Sequence, residues 1–363
     1  MKRRIFINGR FLTQPVAGVQ RYARELMRQL DMLVGDSASL PLVELVCLIP
    51  PENIVYPPWK NIELKKVGSN KGVIWEQIDL PIYLKGQLLF SPANIGPCYY
   101  RNQVVTFHDA SVFAVPEAYS PIFRTKYIFG FRQLANRARL IITDSKFSQH
   151  ELAKYLQLPP HRFQVIYLGA DHLNYVQVDH HFLQKYKLHE KPYIFMIASV
   201  SQHKNYARVI EAIKLIQSDI QFVLAGGNYQ HIFNSVDLNS LPNNVLWLGC
   251  ITDSELKTLY ENALGFIFPS IYEGFGIPPL EAMQCGCPVL CSAAASLPEV
   301  VGEAALYFDP FNVDQIAETI EYFLAEPDLQ ETLRVKGYQH SAEYHWSNTA
   351  RDTLEILFGC LES

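Results

Sequence analysis

The sequence predicts an α/β protein with two units, each a parallel sheet covered by helices. The chain has 363 residues, which is enough for about two domains. Short apolar runs alternate with segments of helical periodicity, and the second half repeats the strand-then-helix order regularly. That order favours a parallel sheet with helices on both faces. With 49% hydrophobic and 18% charged residues, the composition is that of a globular protein.

The first half begins with a buried strand, a turn and a helix. Arg4–Asn8 is a short apolar run, Pro15–Gly18 predicts a turn, and Gln20–Leu33 has helical periodicity. The order is typical of a nucleotide-type α/β unit, although the G-x-G spacing of dinucleotide-binding proteins is absent. The remaining predicted strands are Val43–Ile49, Ile62–Val67, Leu88–Phe90, Val104–Phe107, Leu140–Thr143 and Phe163–Leu168, and the predicted helices are Val73–Tyr83, Pro121–Leu140 and one that follows Ser145.

The second half alternates strands and helices more clearly. Strands are predicted at residues 193–200, 220–225, 245–249, 265–268, 288–291 and 305–308, and helices begin near 206, 253, 279 and 313. Two more helices, Leu329–Tyr344 and Trp346–Leu361, complete the chain. We therefore expect an N-terminal domain at 1–185, a C-terminal domain at 186–345 and a terminal helix at 346–363.

The stretch Ser270–Ser292 carries the strongest indication of a ligand site. Glu273 and Glu281 are eight residues apart, with two glycines and two prolines between them that disfavour a continuous helix. We expect a bent loop with Glu273 in it, and a helix that begins at Pro279 with Glu281 in its first turn. The amides of Phe275 to Leu280 would then form a positive helix start beside two carboxylates, which suits a ligand with phosphate and sugar hydroxyls. An ordinary loop-to-helix junction with two solvated glutamates explains the same pattern.

This stretch resembles the E-x7-E signature of the retaining glycosyltransferases of family 4, which have the GT-B fold. The later segments Pro288–Leu290, Ser296–Val300 and Gly302–Ala305 are similar to that family as well, as is Gly18–Leu30. The resemblance implies two Rossmann-like domains whose parallel sheets face each other across a cleft. It also implies that the C-terminal helix crosses back to the first domain near Tyr344–Ser347, and that the first domain binds the acceptor and the second the nucleotide sugar.

The resemblance assigns roles to particular residues. Glu281 would hold the ribose hydroxyls and Glu273 the donor-sugar hydroxyls, while His108 would contact the sugar. A satisfied structural histidine is the alternative for His108, and Asp109 could cap the next segment. The other predicted substrate-binding residues are Phe275, Gly276, Ile277 and Leu280 near the sugar, Gly249, Cys250, Ile251 and Thr252 around the base, and Gly226 and Gly18 as points of backbone approach.

A loop of the second half is predicted to bind the leaving diphosphate. In the family this loop supplies an arginine five residues before a lysine. Lys204 matches the lysine, but Ser199 stands at the arginine position and His203 lies beside Lys204. Because removing one such group typically lowers the rate on the order of 10²–10³-fold, the substitution puts the rate of catalysis in question. A surface lysine is the alternative for Lys204.

Charge and composition bound the partners. Residues 1–185 contain 22 Lys and Arg against 14 Asp and Glu, whereas the remainder contains 9 against 22. This asymmetry suggests a phosphate-bearing acceptor or an anionic membrane surface for the first half, unless the basic residues only solvate helix faces. Aromatic and basic residues also interleave along Pro121–Leu140, which suits a membrane interface or a lipid-linked acceptor, although half of the aromatics could be core.

Several classes of protein are disfavoured. The seven cysteines are odd in number and mostly in apolar surroundings, which indicates reduced thiols in the cytoplasm. No apolar run has the length of a signal peptide or a membrane span. No histidine cluster accompanies Cys285, Cys287 and Cys291, and no Asp-x-Asp is present, so that we expect no bound metal ion. We also expect no cofactor and no nucleic-acid partner. A cytoplasmic protein that contacts the inner face of the plasma membrane fits these observations.

The sequence therefore predicts a retaining, metal-independent hexosyltransferase of cell-envelope or exopolysaccharide synthesis. It would move a sugar from a nucleotide diphosphate sugar to a glycan or lipid-linked acceptor, with UDP-glucose favoured over GDP-mannose although no residue decides between them. Because Ser199 stands where the family has an arginine, the alternative is a sugar-nucleotide binding protein of the same fold that is catalytically weak or inactive. A sugar-nucleotide 2-epimerase of the same architecture is a third possibility, against which the E-x7-E pattern and His108-Asp109 weigh.

Overall fold

The computed structural model describes residues 3–36, 43–197, 201–227 and 241–362. The chain divides into two compact units. The first contains residues 1–169 and 346–363, and the second contains residues 170–345.

The first unit is built on a seven-stranded sheet in which every pair of neighbouring strands is parallel. Its strands are β1 (Arg3–Asn8), β2 (Val43–Ile49), β3 (Glu63–Lys66), β4 (Leu89–Ser91), β5 (Gln103–Thr106), β6 (Leu140–Thr143) and β7 (Phe163–Val165). The order is β3-β2-β1-β4-β5-β6-β7, so that the direction of winding reverses between β1 and β4. Ligands of open α/β sheets bind outside the carboxyl ends of strands at such a reversal.

Helices connect the strands of this unit as the sequence predicts, with adjusted ends. They are α1 (Gly18–Gly35), α2 (Gly72–Ile74), α3 (Leu80–Leu84), α4 (Ser111–Ala114), α5 (Pro121–Arg137) and α6 (Lys146–Leu156), with 3-10 turns at Gly9–Thr13, Pro116–Ala118 and Pro160–Arg162. The predicted serine cap of α6 is present, since Ser145 Oγ accepts a hydrogen bond from the amide of Ser148 at 3.0 Å.

The segment predicted as one helix at Val73–Tyr83 contains a π-helical stretch, Trp75–Asp79, between α2 and α3. Trp75 is fully buried in a core cluster, and its indole nitrogen donates to the carbonyl of Val67 at 2.8 Å. Glu76 follows it and is buried as well. A π-helical turn commonly marks a functional position, because the wider turn re-aims the side chains around it.

The C-terminal helix, Trp346–Glu362, belongs to the first unit. Trp346 is fully buried, with its ring centroid 6.1 Å from that of Tyr22 on α1. Thr349 Oγ1 donates to the carbonyl of Tyr167 at 2.8 Å. The packing of Trp346 against α1 and the hydrogen bond from Thr349 to Tyr167 therefore hold the helix within this unit.

The second unit is built on a six-stranded sheet with the order β10-β9-β8-β11-β12-β13, again parallel throughout. Counted within the unit this is the order 3-2-1-4-5-6 of Rossmann-like folds. Its strands are β8 (Tyr193–Ile197), β9 (Gln221–Ala225), β10 (Val245–Trp247), β11 (Gly265–Phe268), β12 (Val289–Ser292) and β13 (Ala305–Phe308). The winding reverses between β8 and β11.

The described helices of the second unit follow its strands. They are α7 (His180–Lys185), α8 (Tyr206–Leu215), α9 (Asp253–Asn262), α10 (Ile277–Gln284), α11 (Leu297–Val301), α12 (Val313–Ala325) and α13 (Pro327–Ser341), with 3-10 turns at Asp171–Tyr175, Gln202–Lys204 and Gly302–Ala304. An apolar cluster joins α8 and α12 to the sheet through residues such as Val209, Ile213, Ile316 and Ile320.

The division between the units lies at Gly169, earlier than the predicted end of the first domain at 185. Residues 170–185 are held in the second unit by specific contacts. Lys257 Nζ donates to the carbonyl of Val176 at 2.9 Å, and the amide of Asp179 donates to Thr258 Oγ1 at 2.7 Å. The sequence pattern did not place this stretch in the second unit, because it lacks periodicity and its contacts are made by side chains far along the chain.

Helix α5 has a mixed surface. Phe131 is buried, while Ile122 and Phe129 are exposed beside the exposed Lys126 and Arg132. Part of the predicted aromatic-basic face is therefore core and part is surface, and membrane contact stays a prediction. Within the described ranges, no helix combines the length and the hydropathy needed to cross a bilayer.

Candidate active site

The residues predicted to bind the donor cluster where the winding of the second sheet reverses. Lys204 lies in the turn that follows β8, and Glu273 lies in the loop that follows β11. Since β8 and β11 are parallel neighbours, their carboxyl ends meet at one edge of the sheet. The fold thus brings together two side chains that are separated by 69 positions in the sequence.

Lys204 and Glu273 form an ion pair. Lys204 Nζ lies 2.5 Å from Glu273 Oε1, and the side chains are 22% and 14% exposed. The ammonium also lies 5.6 Å from the centre of the Phe268 ring. Because the ammonium group is partly desolvated, its attraction to an anion is strong and increases with the charge of the anion. A diphosphate, which carries more charge than one carboxylate, could therefore replace Glu273 as its partner.

Polar side chains hold the Glu273 loop in place. Ser296 is fully buried, and its hydroxyl lies 3.0 Å from the carbonyls of both Glu273 and Phe275. On the other side, Asn205 donates to the carbonyl of Pro269 at 3.2 Å and to that of Pro310 at 2.7 Å. Sequence reasoning assigned no role to Ser296 or Asn205, because their partners lie 21 to 105 positions away.

Helix α10 begins two residues earlier than predicted, at Ile277 instead of Pro279. Gly276 takes the cap position with a left-handed φ of 95°, and a Cβ at this glycine would lie 2.6 Å from Leu297 Cδ2. Gly276 has no side chain with which to cap this helix start. Because Pro278 and Pro279 have no amide hydrogen, the predicted row of donors is reduced to amides such as those of Gly276 and Ile277.

Glu281 lies in the second turn of α10, where the sequence predicted the first turn, and it is buried rather than solvated. Its Oε2 accepts a hydrogen bond from the Tyr260 hydroxyl at 3.2 Å, and its Oε1 lies 3.2 Å from His172 Nε2. Burial and the Glu281 carboxylate hold the pKa of Tyr260 well above its ordinary value, so that Tyr260 stays a donor. Tyr260 and His172 were not predicted. A ribose contact by Glu281 stays a prediction, and it would share the carboxylate with them.

The residues predicted near the base, 249–252, follow β10, and Gly226, predicted as a point of backbone approach, follows β9. The amide of Gly226 donates to the carbonyl of Gly249 at 2.6 Å, and both glycines have a positive φ. Cys250 is exposed and Ile251 is half-buried. Thr252 caps α9 in a capping box with Glu255. The amide of Thr252 donates to the Glu255 carboxylate, and the hydroxyl of Thr252 accepts from the amide of Glu255. The backbone amide of Thr252 is thereby occupied by a structural contact.

His108 follows β5 in the first unit and forms a buried pair with Asp144. Its Nδ1 lies 2.7 Å from Asp144 Oδ2 and its Nε2 lies 3.1 Å from the carbonyl of Pro92. Burial raises the pKa of Asp144, which His108 partly offsets; with Asp144 ionised, the two acceptors require a hydrogen on each ring nitrogen, which is the imidazolium form. Burial lowers the pKa of His108, but Asp144 and the Pro92 carbonyl more than offset this, so that the pKa is raised. Asp144 was not predicted as a partner, and a sugar contact by His108 would replace one of these bonds.

The sequence also singled out Gly18, Leu280, Ser199 and Asp109. Gly18 is the first residue of α1, and a Cβ built at this position would have no heavy atom of the described residues within 4 Å. Leu280 is fully buried within α10 and contributes packing. Ser199, where the family has an arginine, lies outside the described residues. Asp109 Oδ1 accepts a hydrogen bond from the amide of Ser111 at 2.7 Å, as a local cap would.

The described part of the chain contains no group of three His, Cys, Asp or Glu side chains arranged to hold a metal ion. The seven cysteines are free thiols, and burial raises the pKa of Cys285 to about 12. The nearest cationic group to Glu273 is instead Lys204.

Comparison with known proteins now places the chain in a family. A model described as "Glycosyl transferases group 1" matches residues 179–340. O-antigen chain mannosyltransferase B of Escherichia coli is 32% identical over 369 residues, which cover 94% of this chain and 95% of that protein. The chain belongs to the group 1 glycosyltransferases. It is a glycosyltransferase of the bacterial polysaccharide type.

Two more distant similarities agree with this assignment. O-antigen chain mannosyltransferase RfbU of Salmonella typhimurium is 27% identical over 237 residues, which cover 61% of the glycosyltransferase described here and 64% of RfbU. The structure of sucrose-phosphate synthase from Thermosynechococcus elongatus has a TM-score of 0.77 at 17% identity, with 100% of both chains covered. At that identity the likeness concerns the fold, which is GT-B, as the sequence predicted.

Proposed function

We propose that this glycosyltransferase transfers a mannosyl residue from GDP-mannose to a saccharide acceptor, with retention at the anomeric carbon. The observation that carries the donor site is the Lys204–Glu273 pair at the reversal point of the second sheet. The names of the two curated relatives, both O-antigen mannosyltransferases, favour mannose over the glucose that the sequence favoured. UDP-glucose is the competing donor.

In the proposed site, Lys204 contacts the diphosphate and Glu273 the hydroxyls of the sugar. Donor binding then breaks the 2.5 Å ion pair, since the ammonium turns to phosphate and the carboxylate accepts sugar hydroxyls. The start of α10 adds amide donors and the positive end of its dipole. These groups stabilise the negative charge that grows on the leaving diphosphate, which is the contribution that lowers the barrier.

Retention is part of the proposal by resemblance to the family. In the same-face route, the departing diphosphate helps to deprotonate the acceptor hydroxyl, so that no protein nucleophile is required. The cationic Lys204 then has two functions, because it holds the diphosphate in place and stabilises the charge that remains there after the proton is taken.

A two-step experiment tests this function. First, the purified protein is melted with GDP-mannose, UDP-glucose, GDP and UDP in turn; a ligand at 100 times its Kd stabilises the folded state by about 2.7 kcal/mol. We expect GDP-mannose to give the largest shift. A larger shift with UDP-glucose would replace the donor, and no shift with any of the four would contradict the donor site.

Second, release of nucleotide from the stabilising donor is measured with and without a saccharide acceptor, and the anomeric configuration of the product is read by NMR. Acceptor-dependent release with an α-linked product is expected. Binding without acceptor-dependent release from any saccharide tried would instead favour a sugar-nucleotide binding protein, the alternative suggested by Ser199.

A further inference from the structure

The carboxylate of Glu281 has a polar neighbour at each of its oxygens. The Tyr260 hydroxyl donates to Oε2 at 3.2 Å, and His172 Nε2 lies 3.2 Å from Oε1. Glu281 is 7% exposed, His172 is 5% exposed and Tyr260 is fully buried. All three residues belong to the second unit. Because buried polar groups bond to protein rather than to bulk water, the two neighbours decide how the carboxylate plane is turned.

Tyr260 is held in place by its packing. It lies on α9, and its ring meets those of Phe195 and Phe266 edge to face, with centroid distances of 5.3 and 5.1 Å. Its hydroxyl reaches α10 at two points, since it also lies 3.4 Å from the carbonyl of Pro278. The raised pKa of Tyr260 keeps this hydroxyl protonated. A fixed donor therefore stands against Oε2 of Glu281.

His172 is held by the backbone around it. It lies in the 3-10 turn near the start of the second unit, and the amide of Ala170, two residues earlier, donates to the carbonyl of Tyr344 at 3.0 Å. Gln284, the last residue of α10, donates to the same carbonyl at 3.3 Å. The turn that carries His172 and the helix that carries the carboxylate thus share one anchor, which keeps His172 beside Oε1.

The orientation of a carboxylate decides which of its acceptor sites a ligand can use. Each oxygen has two lone pairs. With one site on each oxygen facing Tyr260 or His172, one site on each oxygen remains. The last torsion of a glutamate side chain is broad, so that an unsupported carboxylate would turn freely. Neighbours on both oxygens restrict this turning and leave the two remaining sites to a ligand.

A ribose presents two neighbouring hydroxyls, at its 2′ and 3′ carbons, and each can donate a hydrogen bond. A carboxylate with one open site on each oxygen accepts both hydroxyls together. Hydrogen bonds to a charged acceptor are about twice as strong as neutral ones, so that the second bond adds substantially to affinity. The surroundings of Glu281 therefore suit a vicinal diol better than a single hydroxyl.

We propose that Tyr260 and His172 position the Glu281 carboxylate to accept both ribose hydroxyls of the donor, and that they thereby set a preference for ribonucleotides over 2′-deoxyribonucleotides. The contact between Glu281 and the ribose rests on the proposed function; the role of its two neighbours goes beyond it. Tyr260 and His172 act through Glu281 and are positioning residues. The preference applies equally to a guanosine and to a uridine donor.

Nucleotide binding to the full-length protein measures the preference without any transfer. The Kd values of GDP and 2′-deoxy-GDP are determined by isothermal titration calorimetry, and UDP and 2′-deoxy-UDP serve as the second pair. We expect the tighter-binding ribonucleotide to bind about 10- to 100-fold more tightly than its 2′-deoxy form, which corresponds to one hydrogen bond to a charged group. Equal Kd values within that pair would overturn the proposal.

Variants assign the preference to the two neighbours. Tyr260→Phe removes one hydroxyl and keeps the ring, while His172→Leu removes the imidazole. Each should raise the Kd of the ribonucleotide about two- to tenfold and leave that of the 2′-deoxy form nearly unchanged, so that the ratio falls toward one. His172→Gln should retain most of the ratio, because its amide nitrogen can take the place of Nε2. An unchanged ratio in the folded Tyr260→Phe and His172→Leu variants overturns the proposal.

A matched control separates positioning from a loss of packing. Tyr193→Phe removes another buried hydroxyl of the second unit, whose hydrogen bond goes to the carbonyl of Leu259 on α9 at 2.9 Å. Its melting temperature should fall as that of Tyr260→Phe does, while its ribose preference should equal that of the wild type. An equal loss of preference in Tyr193→Phe would show that the packing of α9 sets it, against the proposal.

A double variant tests whether Tyr260 acts through the carboxylate. Glu281→Ala should abolish the preference, and the addition of Tyr260→Phe should then change the ratio no further. A further change would contradict the proposed route through Glu281. Melting curves establish that each variant is folded at the temperature of the titration. Failure of every nucleotide to bind the wild type would contradict the donor site and with it this proposal, whereas binding with an unaltered ratio in the variants contradicts this proposal alone.

Discussion

Replacement of Lys204 by methionine separates the structural and the functional contribution of the Lys204–Glu273 pair. The change keeps an unbranched side chain that is one atom shorter and removes its charge. Glu273 then loses its partner at 2.5 Å in a site where its side chain is 14% exposed. A hydrogen bond to a charged group contributes a net stabilisation of about 1.5–3 kcal/mol. In a unit of this size each kcal/mol lowers the melting temperature by about 2–4 °C, so that the transition should move by about 3–12 °C.

The expected loss of activity is larger than this loss of stability implies. Removing one group that stabilises a developing negative charge lowers kcat by about 10²–10³-fold, which corresponds to about 2.7–4 kcal/mol. The assay is transfer of radiolabelled sugar at a temperature at which the variant is fully folded. Lys204→Arg should recover part of the rate because it keeps the cation, and Lys214→Met, at an exposed position on α8, is the control. A lower melting temperature with a wild-type rate for Lys204→Met would show that the pair is structural and would refute the assignment.

Three further changes test other parts of the account. Gly276→Ala should lower both stability and transfer, since φ is 95° and the new Cβ meets Leu297 Cδ2 at 2.6 Å; a variant that melts and turns over as the wild type does would contradict the strain at this cap. Ser296→Ala should cost about 1–3 kcal/mol by leaving two loop carbonyls without their donor, and should raise the KM for donor; an unchanged KM would show that the hydroxyl does not position the loop. Because the pKa of His108 is raised, its pair with Asp144 should contribute fully to the free energy of unfolding below about pH 6.5, and this contribution should be lost as the pH rises through the raised pKa. A difference in stability between wild type and His108→Gln that stays constant from pH 5.5 to 9 would contradict this.

The arrangement of the sheets was predictable because it depends on local patterns. Apolar runs four to seven residues long, bounded by turn residues and separated by helix-periodic segments, predicted strands such as Val43–Ile49 and Gly265–Phe268 with matching ends. The clustering of Lys204 with Glu273 follows from that arrangement together with the family resemblance. The part of the strand predicted at residues 198–200 lies outside the described residues.

The environment of the carboxylates was not predictable in the same way. Glu281 was expected in a first turn, but Gly276 takes the left-handed cap and moves the helix start to Ile277. The partners of Glu281, Tyr260 and His172, come from other elements, and no local pattern links them. The same holds for His108 and Asp144, which are 36 positions apart.

A cavity of about 240 Å³ in the first unit, lined in part by Arg10, Glu76 and aromatic residues of α5, has a similar explanation. The aromatic residues of α5 are visible in the sequence, and their interleaving with basic residues suggested a membrane contact. That contact stays a prediction, whereas the cavity beside these rings is also lined by Glu76 in the π-helical stretch and by Arg10 after β1, which lie 66 positions apart. Long-range side-chain geometry therefore decides which face of this helix lines the cavity, while the sequence pattern only shows that the aromatic residues are present.

The most direct test of the central claim is a crystal structure of the protein with its stabilising nucleotide sugar bound. We predict density for the diphosphate within hydrogen-bond distance of Lys204 Nζ at the carboxyl ends of β8 and β11, with the sugar hydroxyls against Glu273 and the Lys204–Glu273 bond broken. A donor bound at any other place, with that ion pair intact at 2.5 Å, would contradict it.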